Sequence, residues 1–351
     1  MAKIVFPGLV SIHIINTCNF NCPGCHTFSD FDFKGYQDWQ DYKHIYAEWA
    51  NRIDISEWEL LGGEPTMNPT YLHWIEGLAE LWPNATGVLR TNGSTINANN
   101  KKLYDLLLKL KQSIVVDISL HNYNRTDEVL TKVKEWLQSP CVVARHPKLS
   151  DHSEFLAFWV NSYNNIRGSE WPDCNTVDDW FCLPQEVRTE CERDFNFSPD
   201  IFLDKYIGWQ LIDANGIIVR IHHENLFAQT PLVQDSDLNT LRFYSSDPIK
   251  AHDVCGFKNC TVFVRGELYK CNTAPHMAEF EKQYNIDITA EDLELINSVP
   301  SGKLSMTDDE LADFVKNLSN PIPQCKFCTQ EDNTKEIFAS TKKVKFIRKT
   351  Q

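Results

Sequence analysis

The stretch Cys18-Asn-Phe-Asn-Cys-Pro-Gly-Cys-His26 sets three thiols on one short loop directly after the apolar run Val10–Thr17, VSIHIINT. A Cys-x3-Cys-x2-Cys loop that follows a strand presents three thiolates to one point, which suits a cubic iron–sulfur cluster with three irons held by protein and the fourth left open. A structural zinc site normally completes four protein ligands, usually as two separated pairs. Three cysteines on one loop fit that pattern poorly, although His26 offers a fourth donor in principle.

Outward from this loop, short β-branched runs alternate with helical patterns. The runs are EWELLG (57–62), TGVLRTNG (86–93), SIVVDISLH (113–121) and CVVARH (141–146). Between them DYKHIYAEWANRI, PTYLHWIEGLAELW, NNKKLYDLLLKLK and TDEVLTKVKEWLQ repeat apolar residues at three- and four-residue intervals, as one helix face requires. This alternation predicts stacked βα units around a parallel sheet, about five of them before residue 150. Residues 150–208 break the rhythm with the acidic, Trp-rich SEWPDCNTVDDWFCLPQEV, to which the sequence assigns no role. WQLIDANGIIVRIHHE (209–224) reads as two extended runs around Asn215-Gly216, a hairpin or a last barrel strand with its return. A second hairpin, CTVFVRGELYKC (260–271), turns at Arg265-Gly266.

Composition bounds the function classes. The chain has 351 residues, 42% of them hydrophobic, enough for one large domain with an appendage or two domains. A net charge of −14 argues against a phosphate-binding nucleic-acid partner, and only the tail TKKVKFIRKTQ (341–351) is basic. No apolar run reaches the length of a membrane span. The N-terminal apolar stretch runs into the cysteine loop without a signal-peptide cleavage pattern, so a cytoplasmic location is expected. Twelve cysteines are many for that compartment, where thiols stay reduced and grouped thiols point to metal. Beyond the first loop the tight groups are Cys255, Cys260 and Cys271, then Cys325 and Cys328; Cys141, Cys174, Cys182 and Cys191 are scattered and read as ordinary thiols.

CNFNCPGCH resembles the CxxxCxxC cluster loop of the radical S-adenosylmethionine (SAM) superfamily, and the order of the later motifs along the chain strengthens the resemblance. LLGGEP (60–65), at the end of the second predicted strand, resembles the GGE motif that grips the methionine amino group of SAM. Gly62 and Gly63 allow close backbone approach, Glu64 offers an acceptor to an ammonium, and Pro65 comes next. Asn92 and Ser119, at the ends of the third and fourth strands, match positions that reach the SAM ribose or carboxylate, and Arg145, ending the fifth, is a candidate for the carboxylate. Gly24 departs from the aromatic residue that many such loops carry before the third cysteine, which removes an adenine stack from that side chain.

The late cysteines resemble the auxiliary-cluster domains called SPASM and twitch. In them a hairpin brings two cysteines together, and Cys325-Lys-Phe-Cys328 matches the closing pair. The resemblance implies a partial (β/α)6 TIM-like barrel over 1–225, a SPASM/twitch-like auxiliary domain over 226–330 and a tail over 331–351. One auxiliary [4Fe–4S] cluster would join the SAM-binding one. Which four of Cys255, Cys260, Cys271, Cys325 and Cys328 hold it stays open, as does a zinc ribbon from Cys255/Cys260 and Cys325/Cys328. The implied activity is reductive cleavage of SAM to a 5′-deoxyadenosyl radical that abstracts hydrogen from a small-molecule or peptidyl substrate. The electron would come from a donor such as flavodoxin or ferredoxin. His121, Tyr123 and Arg125, or His222, His223 and Glu224, are polar groups available to substrate, with a small polar or nucleoside-type molecule preferred. The CPGC loop also resembles that of glycyl-radical activating enzymes acting on a partner protein. A non-catalytic iron–sulfur or zinc-binding interaction protein is the reading from another class.

Overall fold

A computed structural model describes residues 3–6, 8–22, 24–110, 113–121, 125–137, 141–145, 208–223, 226–227, 232–234, 241–256, 258, 260–284, 286–331 and 335–336. In chain order the strands are β1 (Ile4–Val5), β2 (Leu9–Ile15), β3 (Ile53–Asp54), β4 (Glu57–Gly62), β5 (Thr86–Thr91), β6 (Ile114–Leu120), β7 (Cys141–Arg145), β8 (Gly208–Ile212) and β9 (Ile218–His223). They continue as β10 (Leu226–Phe227), β11 (Leu232–Gln234), β12 (Leu241–Phe243), β13 (Thr261–Val264), β14 (Glu267–Tyr269), β15 (Ile286–Asp287), β16 (Ser301–Gly302) and β17 (Lys335–Glu336). The helices are α1 (Trp39–Arg52), α2 (Tyr71–Leu81), α3 (Lys101–Leu110), α4 (Thr126–Trp136), α5 (Pro248–Asp253), α6 (Ala274–Gln283), α7 (Ala290–Asn297) and α8 (Asp308–Lys316).

Ten strands form one sheet in the order β16-β14-β13-β2-β4-β5-β6-β9-β8-β7. From β13 to β9 every neighbouring pair is parallel, so the molecule is α/β with the parallel run expected of a partial barrel. Helices α1 to α4 follow the first four long strands, each over its expected segment. The residues around Asn215-Gly216 form the hairpin β8–β9, and those around Arg265-Gly266 form β13–β14. Arg265 and Gly266 both take positive φ, 53° and 80°, the backbone of a tight hairpin turn.

The strand order differs from the expected one. CVVARH is the fifth strand in sequence but not in the sheet: β9 lies next to β6, and β7 pairs antiparallel with β8 at the edge. The sixth parallel strand comes from the late cysteine hairpin, since β13 pairs along β2 from Thr261↔Val10 to Val264↔His13. Parallel pairing of strands far apart in sequence is set by buried side chains and not by a local turn, so it leaves little trace in the sequence.

One sheet face, with Val10, Ile12, Ile14, Trp58, Leu60, Leu89, Val116, Ile118 and Phe263, packs on the helices as the main core. Alternation along each strand turns Ser11, His13, Glu59, Arg90, Asp117, Ser119 and His222 to the other face. A smaller core joins Phe28, Phe31 and Phe33, just past the cysteine loop, to Phe243, Phe280, Tyr284 and Phe327 of the C-terminal region. No helix among the described residues is long and apolar enough to cross a membrane.

Candidate active site

The cysteine loop leaves the C-terminal end of β2. Gly24 adopts φ 93°, a left-handed conformation that an aromatic side chain at this position would strain, which gives the departure from the aromatic pattern a backbone reason. Cys25 N donates to Cys22 O at 3.1 Å and Phe28 N to Cys25 O at 3.2 Å, coiling the loop around its thiols. Phe20 N lies 3.3 Å from Cys18 Sγ and Asn92 Nδ2 3.9 Å from it, so N–H groups already face that sulfur.

Burial pushes the Cys18 thiol up to about 12, with the charges of Glu64 and Cys25 adding to the rise. Burial also raises Cys25, helped by Asp30, whose own carboxyl is lifted to about 8 by burial. A bound cation reverses this preference by stabilising the thiolate, so thiols that burial holds neutral, met by backbone donors, fit an iron–sulfur group. Among the described residues no three His, Cys, Asp or Glu side chains gather closely enough to hold a single metal ion.

The Gly-Gly-Glu turn locks onto this loop. A β-carbon on Gly62, which has φ 140°, would stand 2.2 Å from Ile15 O, and one on Gly63 would stand 2.2 Å from Thr17 O. Gly63 N donates to Ile15 O at 2.7 Å and Glu64 N to Thr17 O at 2.9 Å. The close approach that the glycines permit is therefore to the backbone leading into Cys18. Glu64 is 1% exposed. Its Oε1 accepts from Thr66 N at 3.2 Å, from Thr91 Oγ1 at 2.6 Å and from the Thr66 hydroxyl, while Oε2 accepts from Asn92 N at 2.8 Å. Burial raises this carboxyl and the four donors oppose the rise. A carboxylate oxygen takes about two hydrogen bonds, so Oε2 retains capacity for an ammonium. Pro65 opens a 3-10 turn, Pro65–Met67, that carries Thr66 to the carboxylate.

Asn92 joins the two motifs. Its backbone holds Glu64, its side-chain amide donates to Asn19 Oδ1 at 2.9 Å, and its Oδ1 accepts from Ser94 N. Phe20 of the loop packs against His121 at 6.4 Å between ring centroids and beneath the Arg125 guanidinium at 5.3 Å. Those two polar residues therefore brace the loop. Ser119, buried near the end of β6, has Oγ 3.4 Å from His222 Nε2. Arg145 ends β7 opposite Trp209, and β8 and β9 stand between it and β6. Three strand steps along the sheet separate its backbone from β6, and its side chain lies outside the described residues. Tyr123 and Glu224 lie outside the described residues, as do Cys174, Cys182 and Cys191.

A charged chain across the sheet face was not anticipated as a unit. Ser11 Oγ donates to Glu59 Oε1 at 2.5 Å, Glu59 Oε2 meets Arg90 Nε at 2.8 Å, Arg90 reaches Asp117 Oδ2 at 3.3 Å, and Asp117 Oδ1 stands 2.8 Å from His222 Nδ1. Its signal in the sequence is a charge in the middle of otherwise apolar strands: Arg90 in VLRT, Asp117 in VVDIS and Arg220 in IVRIH. Burial pushes the Asp117 carboxyl up, but His222, Arg90 and Arg220 outweigh it and hold the group below the usual carboxylate range.

The second cysteine group brackets the β13–β14 hairpin. Burial raises Cys260 to about 12 and Cys271 to about 11, and it raises Cys325 and Cys328 as well. After burial and local hydrogen bonds, Cys271 responds to Cys325 and Cys255, Cys325 to Lys270 and Cys255, and Cys328 to Cys271, Cys255 and Cys325. Cys260 responds instead to Glu59 first, then to Cys255 and Cys271. His26 Nδ1 lies 3.4 Å from Thr273 Oγ1, linking the first loop to the residues after Cys271. The buried imidazoles of His13 and His276 pack with centroids 4.4 Å apart, another link between β2 and α6.

Comparison with solved structures finds local likeness. SuiB of Streptococcus suis bound to the precursor peptide SuiA is 22% identical, with a TM-score of 0.28 over 33% of this chain and 25% of its own. BtrN in complex with AdoMet and 2-DOIA is 18% identical, with a TM-score of 0.26 over 33% of this chain and 47% of its own. For anSMEcpe with bound AdoMet and the Cp18Cys peptide the values are 17% identity and a TM-score of 0.29 over 54% of this chain and 61% of its own. The chain thus spans less than two thirds of each of these proteins. No curated protein matches it. Residues 12–140 match the family model described as the Radical SAM superfamily. That segment contains the cysteine loop, the Gly-Gly-Glu turn, Asn92 and Ser119, so the stretch that builds the candidate site is similar to the radical SAM superfamily.

Proposed function

We propose that this protein is a radical SAM enzyme that binds a four-iron cluster through Cys18, Cys22 and Cys25, and SAM through Glu64 and Asn92, and acts on a small polar substrate. The observation that carries this reading is Glu64: a carboxylate with acceptor capacity left, fixed by four donors on the turn that clasps the cysteine loop. When bound and reduced, the cluster supplies the electron that splits the sulfonium of SAM into methionine and a 5′-deoxyadenosyl radical able to take hydrogen from a C–H bond.

The residues of the chain do the rest. Glu64 Oε2 holds the ammonium of SAM, and Asn92 keeps both Glu64 and Asn19 in place. Phe20, under Arg125 and beside His121, seals one side of the loop against water. The charged face from Glu59 to His222 supports a polar substrate, since Arg90 at its centre keeps 31% of its side chain exposed on the face away from the helices. For the auxiliary cluster the candidate ligands are four of Cys255, Cys260, Cys271, Cys325 and Cys328, which the β13–β14 hairpin and the Cys325–Cys328 turn supply.

Anaerobic reconstitution with iron and sulfide tests both parts. The parent should take up two four-iron clusters per chain, and Cys325→Ser with Cys328→Ser one. Uptake of a single cluster by the parent would remove the auxiliary site. Retention of the first cluster by Cys18→Ala with Cys22→Ala would remove the reading of the loop.

A further inference from the structure

Lys270 occupies the one position between β14 and Cys271, and it is 4% exposed. Its ammonium donates to Lys258 O at 3.2 Å and to Leu318 O. Both acceptors are neutral, and among the described residues no carboxylate stands within ion-pair distance of it. Lysine is rarely buried unless paired, because a desolvated ammonium needs an opposite charge. It directly precedes Cys271, and the two carbonyls it meets lie on the segments that lead to Cys255 and to Cys325.

The surrounding chain keeps the ammonium there. Lys258 belongs to the turn in which Lys258 N donates to Cys255 O, at 3.3 Å, and Leu318 follows α8 on the way to Cys325. One side chain thus ties together the three segments that carry Cys255, Cys271 and Cys325. Two carbonyls could be satisfied by a neutral donor. A positive charge in that place is matched when the cysteines on these segments hold an anionic cluster.

We infer that Lys270 is the counter-charge of the auxiliary iron–sulfur site and sets its reduction potential high enough for the site to accept electrons. This rests on the auxiliary-cluster reading above. A four-iron cluster with four thiolates is an anion, and it gains one further negative charge when it takes one electron. A fixed cation beside it stabilises the reduced form more than the oxidised form, so the potential rises, net charge and hydrogen bonding being the protein's main levers on such clusters. Lys270 is a positioning and tuning residue and touches no substrate.

The experiment is a potentiometric titration of the anaerobically reconstituted full-length protein with dithionite, monitored by electron paramagnetic resonance. The auxiliary signal is told from the first by its indifference to added SAM. Lys270→Met and Lys270→Gln should lower the auxiliary potential, so that at fixed ambient potential the reduced-to-oxidised ratio falls about tenfold, about 59 mV for one electron. Lys270→Arg, which keeps the charge, should stay near the parent, and the potential of the first cluster should not move in any variant. Gln keeps a donor for the carbonyls, so loss of the second cluster from the Gln variant with retention in the Arg variant also supports the charge. An unmoved potential in the Met and Gln variants, or an Arg variant that behaves like Met, overturns the inference and leaves the auxiliary cluster standing. A parent that takes up one cluster overturns both together, and the iron count separates the two failures.

Discussion

Glu64 and the two glycines before it are the residues on which the site is built. Glu64→Gln removes the charge that faces the ammonium of SAM and turns one acceptor into a donor among Thr66, Thr91 and Asn92. A hydrogen bond to a charged group contributes about 1.5–3 kcal/mol, so SAM affinity of the reconstituted protein should fall by about tenfold or more in a calorimetric titration. Gly63→Ala places a methyl 2.2 Å from Thr17 O, a backbone atom that cannot step aside. The fold should lose about 1–3 kcal/mol in urea unfolding, and iron uptake should drop with it, because the displaced segment leads into Cys18. The motif itself was legible as residue types in the right order. What the glycines approach was not, because contact with Ile15 and Thr17 comes from the pairing of β2 with β4 and not from anything local to LLGGEP.

At the scale of elements, β6 carries Asp117 into the middle of a sheet whose neighbours present Arg90, Arg220 and His222. Asp117→Asn takes the carboxylate from His222, leaves Arg90 with Glu59 alone, and should cost about 3 kcal/mol, as breaking a buried pair does. The direction of the shift sets the sign of the pH dependence. The folded carboxyl is held below its unfolded value of about 3.9, so its contribution is complete above that pH and fades as pH falls through the acid range. Parent stability should therefore decline below about pH 4, and the Asn variant should show a shallower decline in the same urea titrations. The helices and strands were legible because apolar period and turn residues are local signals: α1 to α4 and both hairpins stand where the pattern sets them. The placement of β9 between β6 and β8 was not, and neither was the charged chain it completes, since a Glu, an Arg, an Asp and a His on four strands become one network only through the order of the sheet.

In the whole molecule the two cysteine groups are mechanically joined. Phe28 and Phe31, three and six residues past Cys25, pack on Phe280 at 4.6 and 4.7 Å between centroids, and Tyr284 donates its hydroxyl to Phe31 O. Phe280→Ala should cost about 3–5 kcal/mol by opening this second core, and it should reduce iron incorporation at both groups together, measured as iron and sulfide per chain. The edge of the sheet gives a parallel expectation. A chain cut before Thr261 loses β13 and bares the long edge of β2, so it should aggregate where the full chain does not, as light scattering would record. That the late hairpin extends the main sheet could not be read from CTVFVRGELYKC, whose turn predicts its own antiparallel pair and is silent about β2. The central claim is that CNFNCPGCH and Glu64 together make a SAM-cleaving site. Its most direct test is to incubate the anaerobically reconstituted, dithionite-reduced protein with SAM and measure 5′-deoxyadenosine. The parent should yield 5′-deoxyadenosine, Glu64→Gln sharply less and Cys22→Ala none. A parent that yields none, or a Cys22→Ala variant that matches it, would contradict the claim.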